Sequence, residues 1–317
     1  MIAHHHQSLP VVRVADIVTE ENSQRWLIDQ LWGASAVGVI GGAPKCSKTW
    51  LALDMSLSVA TGTACLDRYE VPDAGPVLVY LAEDSLPIVR ERVEGIARHR
   101  DLRLDSVPLH VITAPVLRLD REPHRTQLLE TARQLRPRLL LLDPLVRLHQ
   151  IDENRATEVA ELLAYFRSLQ RDLDVSVVLV HHTRKNAAGG AAAGLGLRGS
   201  GDIHAFGDSN LYLRRCGDRL MLSSEHRAAA AAQSVYLDLV TADTETMHLA
   251  VTGDVGGHRR RDLQKRVLDL LEQNAVLTRA KLRETLSVKN ERLGEALEAL
   301  QQAGRITRTP TGWQRAS

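Results

Sequence analysis

The chain has 317 residues, of which 44% are hydrophobic and 25% charged, and its formal net charge is +1. That balance excludes a disordered or collagen-like chain, and the absence of any run near the roughly 18 consecutive apolar residues of a bilayer span excludes a membrane helix. Three cysteines, Cys46, Cys65 and Cys216, are too few and too scattered for a disulfide framework or a metal-ligand spacing, so reduced thiols and a cytoplasmic setting are expected.

In chain order, residues 1–35 read as a polar extension followed by a packing helix. Trp26, Leu27, Leu31 and Trp32 stand at helical spacing, and His4, His5 and His6 carry no assigned role. From residue 36 to 255 short apolar runs alternate with helical segments. Ala36–Ile40, Pro76–Ala82, Arg138–Leu142 and Val175–Val180 are continuous apolar runs, the mark of strands covered on both faces. Thr49–Thr61 and Glu158–Asp172 read as helices between them. The expected class is α/β, a mostly parallel sheet flanked by helices. Asn210–Arg215, Arg219–Ser224, Val235–Val240 and Met247–Val251 are expected to extend the sheet as antiparallel strands. Ala187–Gly201, rich in Ala and Gly with one charge at Arg198, is too glycine-rich for a stable helix and reads as a loop.

Residues 256–317 form the second expected unit. Leu263, Val267, Leu270 and Leu271 mark one amphipathic helix; Thr278 caps a second that runs to Thr285; Val288–Ala303 is a third, ended by Gly304. Arg305–Thr309 and Trp313–Ala316 flank a Pro310-Thr311-Gly312 turn, so the whole resembles a winged helix-turn-helix. Charge follows the same division. Residues 258–317 hold 13 Lys and Arg against 7 Asp and Glu, whereas the remainder holds 27 against 32. A basic terminal unit attracts a phosphate backbone, which makes DNA the expected partner, single- or double-stranded. Lys289, Asn290 and Arg292 would open the recognition helix, and Arg305 and Arg308 would meet phosphate.

The strongest chemical signal is Gly42-Ala43-Pro44-Lys45-Cys46-Ser47-Lys48-Thr49, between an apolar strand and an apolar helix. Such a loop aims backbone N–H groups and the positive end of a helix at phosphates, so Gly42 to Thr49, with Trp50 beside them, are the expected ATP contacts. Lys48 would reach the β- and γ-phosphates, and the Thr49 hydroxyl would hold Mg2+. Ser47 stands where the pattern has glycine, at a cost of about 1–2 kcal/mol if that position needs positive φ. Asp143, at the carboxyl end of a buried strand, is the candidate second ligand of Mg2+. Glu83, with Asp84 as its rival, is the candidate to polarise the attacking water, and one histidine of the His181-His182 pair is the candidate contact to the γ-phosphate. All four motifs fall at strand carboxyl ends, where ligands gather in open α/β sheets.

Five stretches together, Gly42–Asp54, Tyr80–Ser85, Leu140–Leu145, Val180–Lys185 and Leu197–Ser200, resemble the RepA-like hexameric ATPases of the RecA superfamily. The resemblance implies ATP hydrolysis at the subunit interfaces of a homo-oligomeric, hexameric ring, with Glu83 as catalytic glutamate, Asp143 as the Walker B acid and His182 as sensor. It also implies an arginine supplied by the neighbouring subunit, for which Arg198 and Arg227 are the candidates. A ring ATPase of plasmid or mobile-element replication, with or without helicase action, is thus expected. An ATP-switched DNA-bound regulator or loader is the alternative, and a small-molecule kinase the third reading.

Overall fold

The computed structural model describes residues 11–16, 25–153, 155–182, 201–242, 246–274 and 276–316, with the side chains of residues 201 and 256–262 outside that description. In chain order the elements of the core are β1 (Trp26–Ile28), β2 (Trp32–Gly33), β3 (Val37–Gly42), α1 (Lys48–Thr61), β4 (Val77–Leu81), α2 (Leu86–His99), β5 (Leu109–Val111), α3 (Glu122–Leu135), β6 (Leu139–Asp143), α4 (Ala156–Leu173), β7 (Ser176–His182), α5 (Gly201–Phe206), β8 (Ser209–Cys216), β9 (Arg219–His226), β10 (Val235–Thr241) and β11 (Met247–Asp254). They are followed by α6 (Val255–Gln273), α7 (Arg279–Leu286), α8 (Asn290–Gln302), β12 (Ile306–Thr309) and β13 (Gly312–Arg315).

Among the described residues the main sheet has nine strands in the order β11-β10-β9-β8-β3-β7-β6-β4-β5. The six strands from β8 to β5 run parallel, and β9, β10 and β11 continue the sheet antiparallel from β8. Strand alternation divides the apolar residues between two faces. Ile40, Val77, Val79, Leu139, Leu141, Val178 and Val180 pack with α1 and α2 on one side. Val39, Leu78, Tyr80, Leu140, Leu142, Val177 and Leu179 pack with Val159, Leu162 and Phe166 of α4 on the other. Burial on both faces is why these strands read as unbroken apolar runs.

The segment before residue 36 departs from expectation. Trp26–Ile28 and Trp32–Gly33 form a short antiparallel hairpin rather than a helix. Spacing alone does not separate the two, because apolar pairs five residues apart meet the core either on one helix face or across a tight turn. The turn wins here: Gln30 takes φ 57, Asp29 N–H donates to Glu70 O, and Ala34 N–H donates to Arg25 O, so the amides find partners outside any i→i−4 ladder. Trp32, Ile28 and Leu31 are still buried in the core, as their apolar character demands.

At the other end, α6, α7, α8 and the β12-β13 hairpin enclose their own core of Leu263, Val267, Leu271, Leu282, Leu286, Leu293, Leu297, Ile306 and Trp313. Thr278 caps α7 as its residue type predicts, its side chain accepting from Lys281 N–H at 3.2 Å. No loop stands at residue 256, where a boundary is expected. β11 runs straight into α6, whose first residue, Val255, packs on Met221 and Tyr236 of the sheet while Leu263 onward serves the terminal core.

Candidate active site

Parallel register brings the candidate residues to one edge. Gly42 of β3 lies opposite His182 of β7, and Leu81 of β4 lies opposite Asp143 of β6. Alternation then chooses the face: Gly42, Asp143 and His182 continue the series Ile40, Leu141 and Val180 on the side that α1 covers. His181 falls on the opposite face and is 1% exposed, while His182 is half-buried at the strand end. That placement favours His182 over His181 for contact with anything bound above α1.

The loop between β3 and α1 is built for close backbone approach. A side chain at Gly42 would meet Cys46 Sγ and Leu213 O, each at 2.6 Å. Cys46 is itself buried, its Sγ donating to Ala43 O at 2.8 Å, and burial raises its thiol pKa. Ser47, the residue before α1, takes φ 59 and ψ 27, the left-handed conformation that glycine adopts freely, and Lys45 takes φ 61. Ser47 therefore carries the expected strain of about 1–2 kcal/mol. Its hydroxyl makes no cap to α1. The first-turn N–H groups of that helix thus have no side-chain acceptor from Ser47, in the orientation that anions favour.

Lys48 and Thr49 open α1 beneath this loop. Lys48 is 6% exposed, and its Nζ donates to Ala43 O at 2.9 Å, so the ammonium curls back along the loop. Burial lowers its pKa, against the opposing pull of Cys46, Asp143 and Glu83. Thr49 Oγ1 donates to Asp143 Oδ2 at 2.7 Å, joining residues 94 apart in sequence. Burial pushes the Asp143 carboxyl up to about 6, even though the Thr49 hydrogen bond and Lys48 act to lower it. Two hard oxygen donors, one anionic and desolvated, are thereby adjacent beside a buried cation. That donor set fits Mg2+, which binds through one or two carboxylates together with substrate phosphates rather than in an all-protein cage. No group of three or more His, Cys, Asp or Glu able to hold a metal occurs among the described residues.

Glu83 and Asp84, which the sequence leaves as rivals, have different partners. Asp84 pairs with Arg92 Nη1 at 2.5 Å and is turned toward α2, whose Arg92 guanidinium also covers the Trp50 ring at 5.6 Å from its centroid. Glu83 Oε1 instead accepts from Arg147 Nε at 2.8 Å, and its charge acts on both Lys48 and Asp143. Sequence reasoning misses Arg92 and Arg147. Arg147 lies four residues after Asp143, but nothing in its spacing names a partner 64 positions away.

The remaining candidates that the structure describes lie elsewhere. Arg227 follows β9 at the amino edge of the sheet, its N–H donating to Asp208 O and its guanidinium reaching the carbonyls of Ala205 and Phe206 and the Asp208 carboxylate. The Asp208 N–H in turn donates to Val37 O at the start of β3. From Val37 to Gly42 β3 runs about 16 Å at about 3.3 Å per residue, so Arg227 lies toward the opposite end of that strand from the loop after Gly42. Arg198 and the rest of Ala187–Gly201 up to residue 200 lie outside the described residues, as do His4, His5 and His6. Lys289, Asn290 and Arg292 come together, all exposed, at the amino end of α8, while Arg305 and Arg308 are exposed on or beside β12.

A model of the AAA domain family matches residues 3–188, more than half of the chain. The chain belongs to the AAA domain family. The match spans the P-loop, Glu83, Asp143 and His182. Among solved structures, this AAA domain protein is similar to an ATPase domain, with a TM-score of 0.52 at 14% identity over 68% of this chain and 84% of that one. It is likewise similar to a DnaB-like replicative helicase whose structure was described with its interactions with primase, with a TM-score of 0.52 at 14% identity over 68% of this chain. The chain spans 59% of the length of that helicase. At such identity the likeness concerns the fold: a RecA-like core with a mostly parallel central sheet flanked by helices. No helix among the described residues is long and apolar enough to cross a membrane.

Proposed function

We propose that this AAA domain protein is a DNA-associated, RecA-type ATPase of the RepA-like kind, hydrolysing ATP at the interfaces of a homo-oligomeric ring in plasmid or mobile-element replication. The observation that carries the reading is the hydrogen bond from Thr49 to Asp143 next to buried Lys48, a phosphate- and metal-ready set assembled from two distant segments. In the mechanism, the amides from Gly42 to Thr49 and the first turn of α1 enclose the triphosphate, and Lys48 leaves Ala43 O for the β- and γ-phosphate oxygens. Thr49 and Asp143 would hold Mg2+. When bound, that ion neutralises charge on the phosphate oxygens. Glu83 orients the attacking water and accepts its proton, and His182 hydrogen-bonds the γ-phosphate.

Arg227 supplies transition-state charge to the site of the adjacent subunit, a role compatible with its distance from its own P-loop, and Arg198 is the second candidate for it. The unit of residues 256–317 acts as a winged helix-turn-helix that meets DNA through Lys289, Asn290 and Arg292 on α8 and through Arg305 and Arg308 on the hairpin.

Phosphate release by the wild type, Lys48→Ala and Glu83→Gln, with and without single-stranded DNA, tests the assignment. Hydrolysis that rises with DNA in the wild type and disappears in both variants is expected. Unchanged turnover in Lys48→Ala overturns the site. A strand-separation assay under the same conditions distinguishes a helicase from a switch that loads or regulates.

A further inference from the structure

Glycine is out of place at position 294. It lies inside α8, where alanine would be the more stable residue because glycine has more backbone freedom to lose. Its backbone has no positive φ that would call for glycine. A Cβ built there would stand 2.7 Å from Nη2 and 3.6 Å from Cζ of Arg279, and the atoms it meets outside α8 belong to that one side chain. Gly294 is thus buried beneath a guanidinium.

Arg279 is the first residue of α7, and the chain entering that helix is fixed. Leu277 N–H donates to Trp313 O at 2.9 Å and Trp313 N–H donates to Leu277 O at 2.8 Å, which ties the start of α7 to the β12-β13 hairpin. From this base the exposed Arg279 side chain crosses to α8, where Nη2 donates to Asn290 O at 2.9 Å. Lys289, Asn290 and Arg292 open the same helix. The partner of Arg279 is a neutral carbonyl, whereas Lys281 on the same helix pairs with Glu284 at 3.1 Å.

One exposed hydrogen bond stabilises by about as much as alanine would in place of glycine, so stability gives no preference for this arrangement. Binding does. A side chain already held in one place has less rotamer freedom to lose when it meets a ligand. The guanidinium carries five N–H groups in one plane, one of them bonded to Asn290 O, and the rest of the fork suits the two oxygens of a phosphate. Resting on the reading of residues 256–317 as a DNA-binding unit, we propose that Arg279 is a further backbone contact of that unit: seated on Gly294 and held at Asn290 O, it meets a phosphate of double-stranded DNA beside Lys289, Asn290 and Arg292. Gly294 gives the guanidinium its room and touches no DNA itself.

The test titrates a fluorescently labelled mixed-sequence duplex with the full-length wild type, Arg279→Ala, Gly294→Ala and the double variant, by anisotropy at several salt concentrations, with a melting temperature for each protein. Arg279→Ala is expected to weaken binding on the order of tenfold, as loss of a charged hydrogen bond does. It should also make the slope of log K against log salt shallower by about 0.9, the share of one phosphate. Gly294→Ala changes no charge, yet by displacing the guanidinium it should weaken binding too, with a melting temperature at or above that of the wild type. The double variant should bind no more weakly than Arg279→Ala, because both changes remove the same contact. Wild-type affinity in either single variant, an affinity loss in Arg279→Ala with an unchanged salt slope, or additive losses in the double variant overturns the proposal. So does a Gly294→Ala protein that loses affinity and melting temperature together, which would make Arg279 a structural tie between α7 and α8. A wild type that binds no duplex overturns the DNA-binding reading itself, and that outcome is separable because it is seen before any substitution.

Discussion

The carboxyl edge of the parallel sheet and the helical unit at the chain's end are assembled in opposite ways. At the edge, function depends on distance in sequence: Thr49 meets Asp143 across 94 positions and Glu83 meets Arg147 across 64, each contact fixed by the pairing of buried strands. In the terminal unit a core drawn from Leu263 to Trp313 is closed by neighbours in sequence, and all five candidate DNA contacts stand on its surface. The difference teaches where stability and function are separable. Around Asp143 they share the same strands, so a packing change should be felt in nucleotide binding; on α8 they do not, so charge changes should be felt in binding alone.

The sharpest way to break this contrast is Leu141→Ala. Leu141 is fully buried in β6, two residues before Asp143. The cavity should cost about 2–5 kcal/mol. Chemical denaturation should show that loss, and nucleotide affinity should fall with it because β6 positions Asp143. Loss of stability with intact nucleotide affinity would separate what the contrast joins.

Asp143→Asn comes next and works in the other direction. The carboxyl titrates near 6 in the folded chain against a reference value of 3.8, with burial as the main cause. A folded-state pKa above the unfolded one means that the contribution to stability is complete below about pH 4 and is lost as pH rises through about 6. The loss amounts to about 3 kcal/mol for a shift of this size. Without nucleotide, Asp143→Asn should therefore be more stable than the wild type at pH 8 and similar to it near pH 4, as thermal melts across pH would reveal. The same variant should lose the Mg2+-dependent stabilisation by nucleotide that is expected of the wild type. A variant less stable than wild type at pH 8 would mean that the charge is compensated rather than strained.

Smallest in stability, and aimed at the terminal unit, are Lys289→Ala and Arg292→Ala. Exposed substitutions of this kind should move stability by no more than about 0.5 kcal/mol. DNA affinity should nevertheless weaken, with a shallower dependence on salt for each phosphate contact removed. Melting temperatures and anisotropy titrations at several salt concentrations read both effects. Unchanged affinity would leave α8 as a protein-facing helix.

Much of the sheet is legible in the sequence for a physical reason: strands covered on both faces appear as apolar runs, and Asp143 and Lys48 stand at or just beyond their ends. Thr278 is legible as a cap because its hydroxyl has a specific local job. The segment from Trp26 to Trp32 reads as a helix and folds as a hairpin because two apolar pairs five residues apart satisfy both equally, and the deciding partner, Glu70, is far along the chain. Helix α2 carries a helical signal in Val89, Val93 and Ile96, whereas α3 buries only Leu128 and Ala132 and offers almost none. The partners of Glu83 and Asp84 are illegible in principle, since an arginine does not announce which distant carboxylate it will meet.

Calorimetric titration of Mg2+-ATP into the wild type and Lys48→Ala probes the nucleotide site most directly. A single saturable site per chain in the wild type, with affinity largely lost in the variant, is the predicted result. Equal binding by both proteins, or none by the wild type, would contradict it.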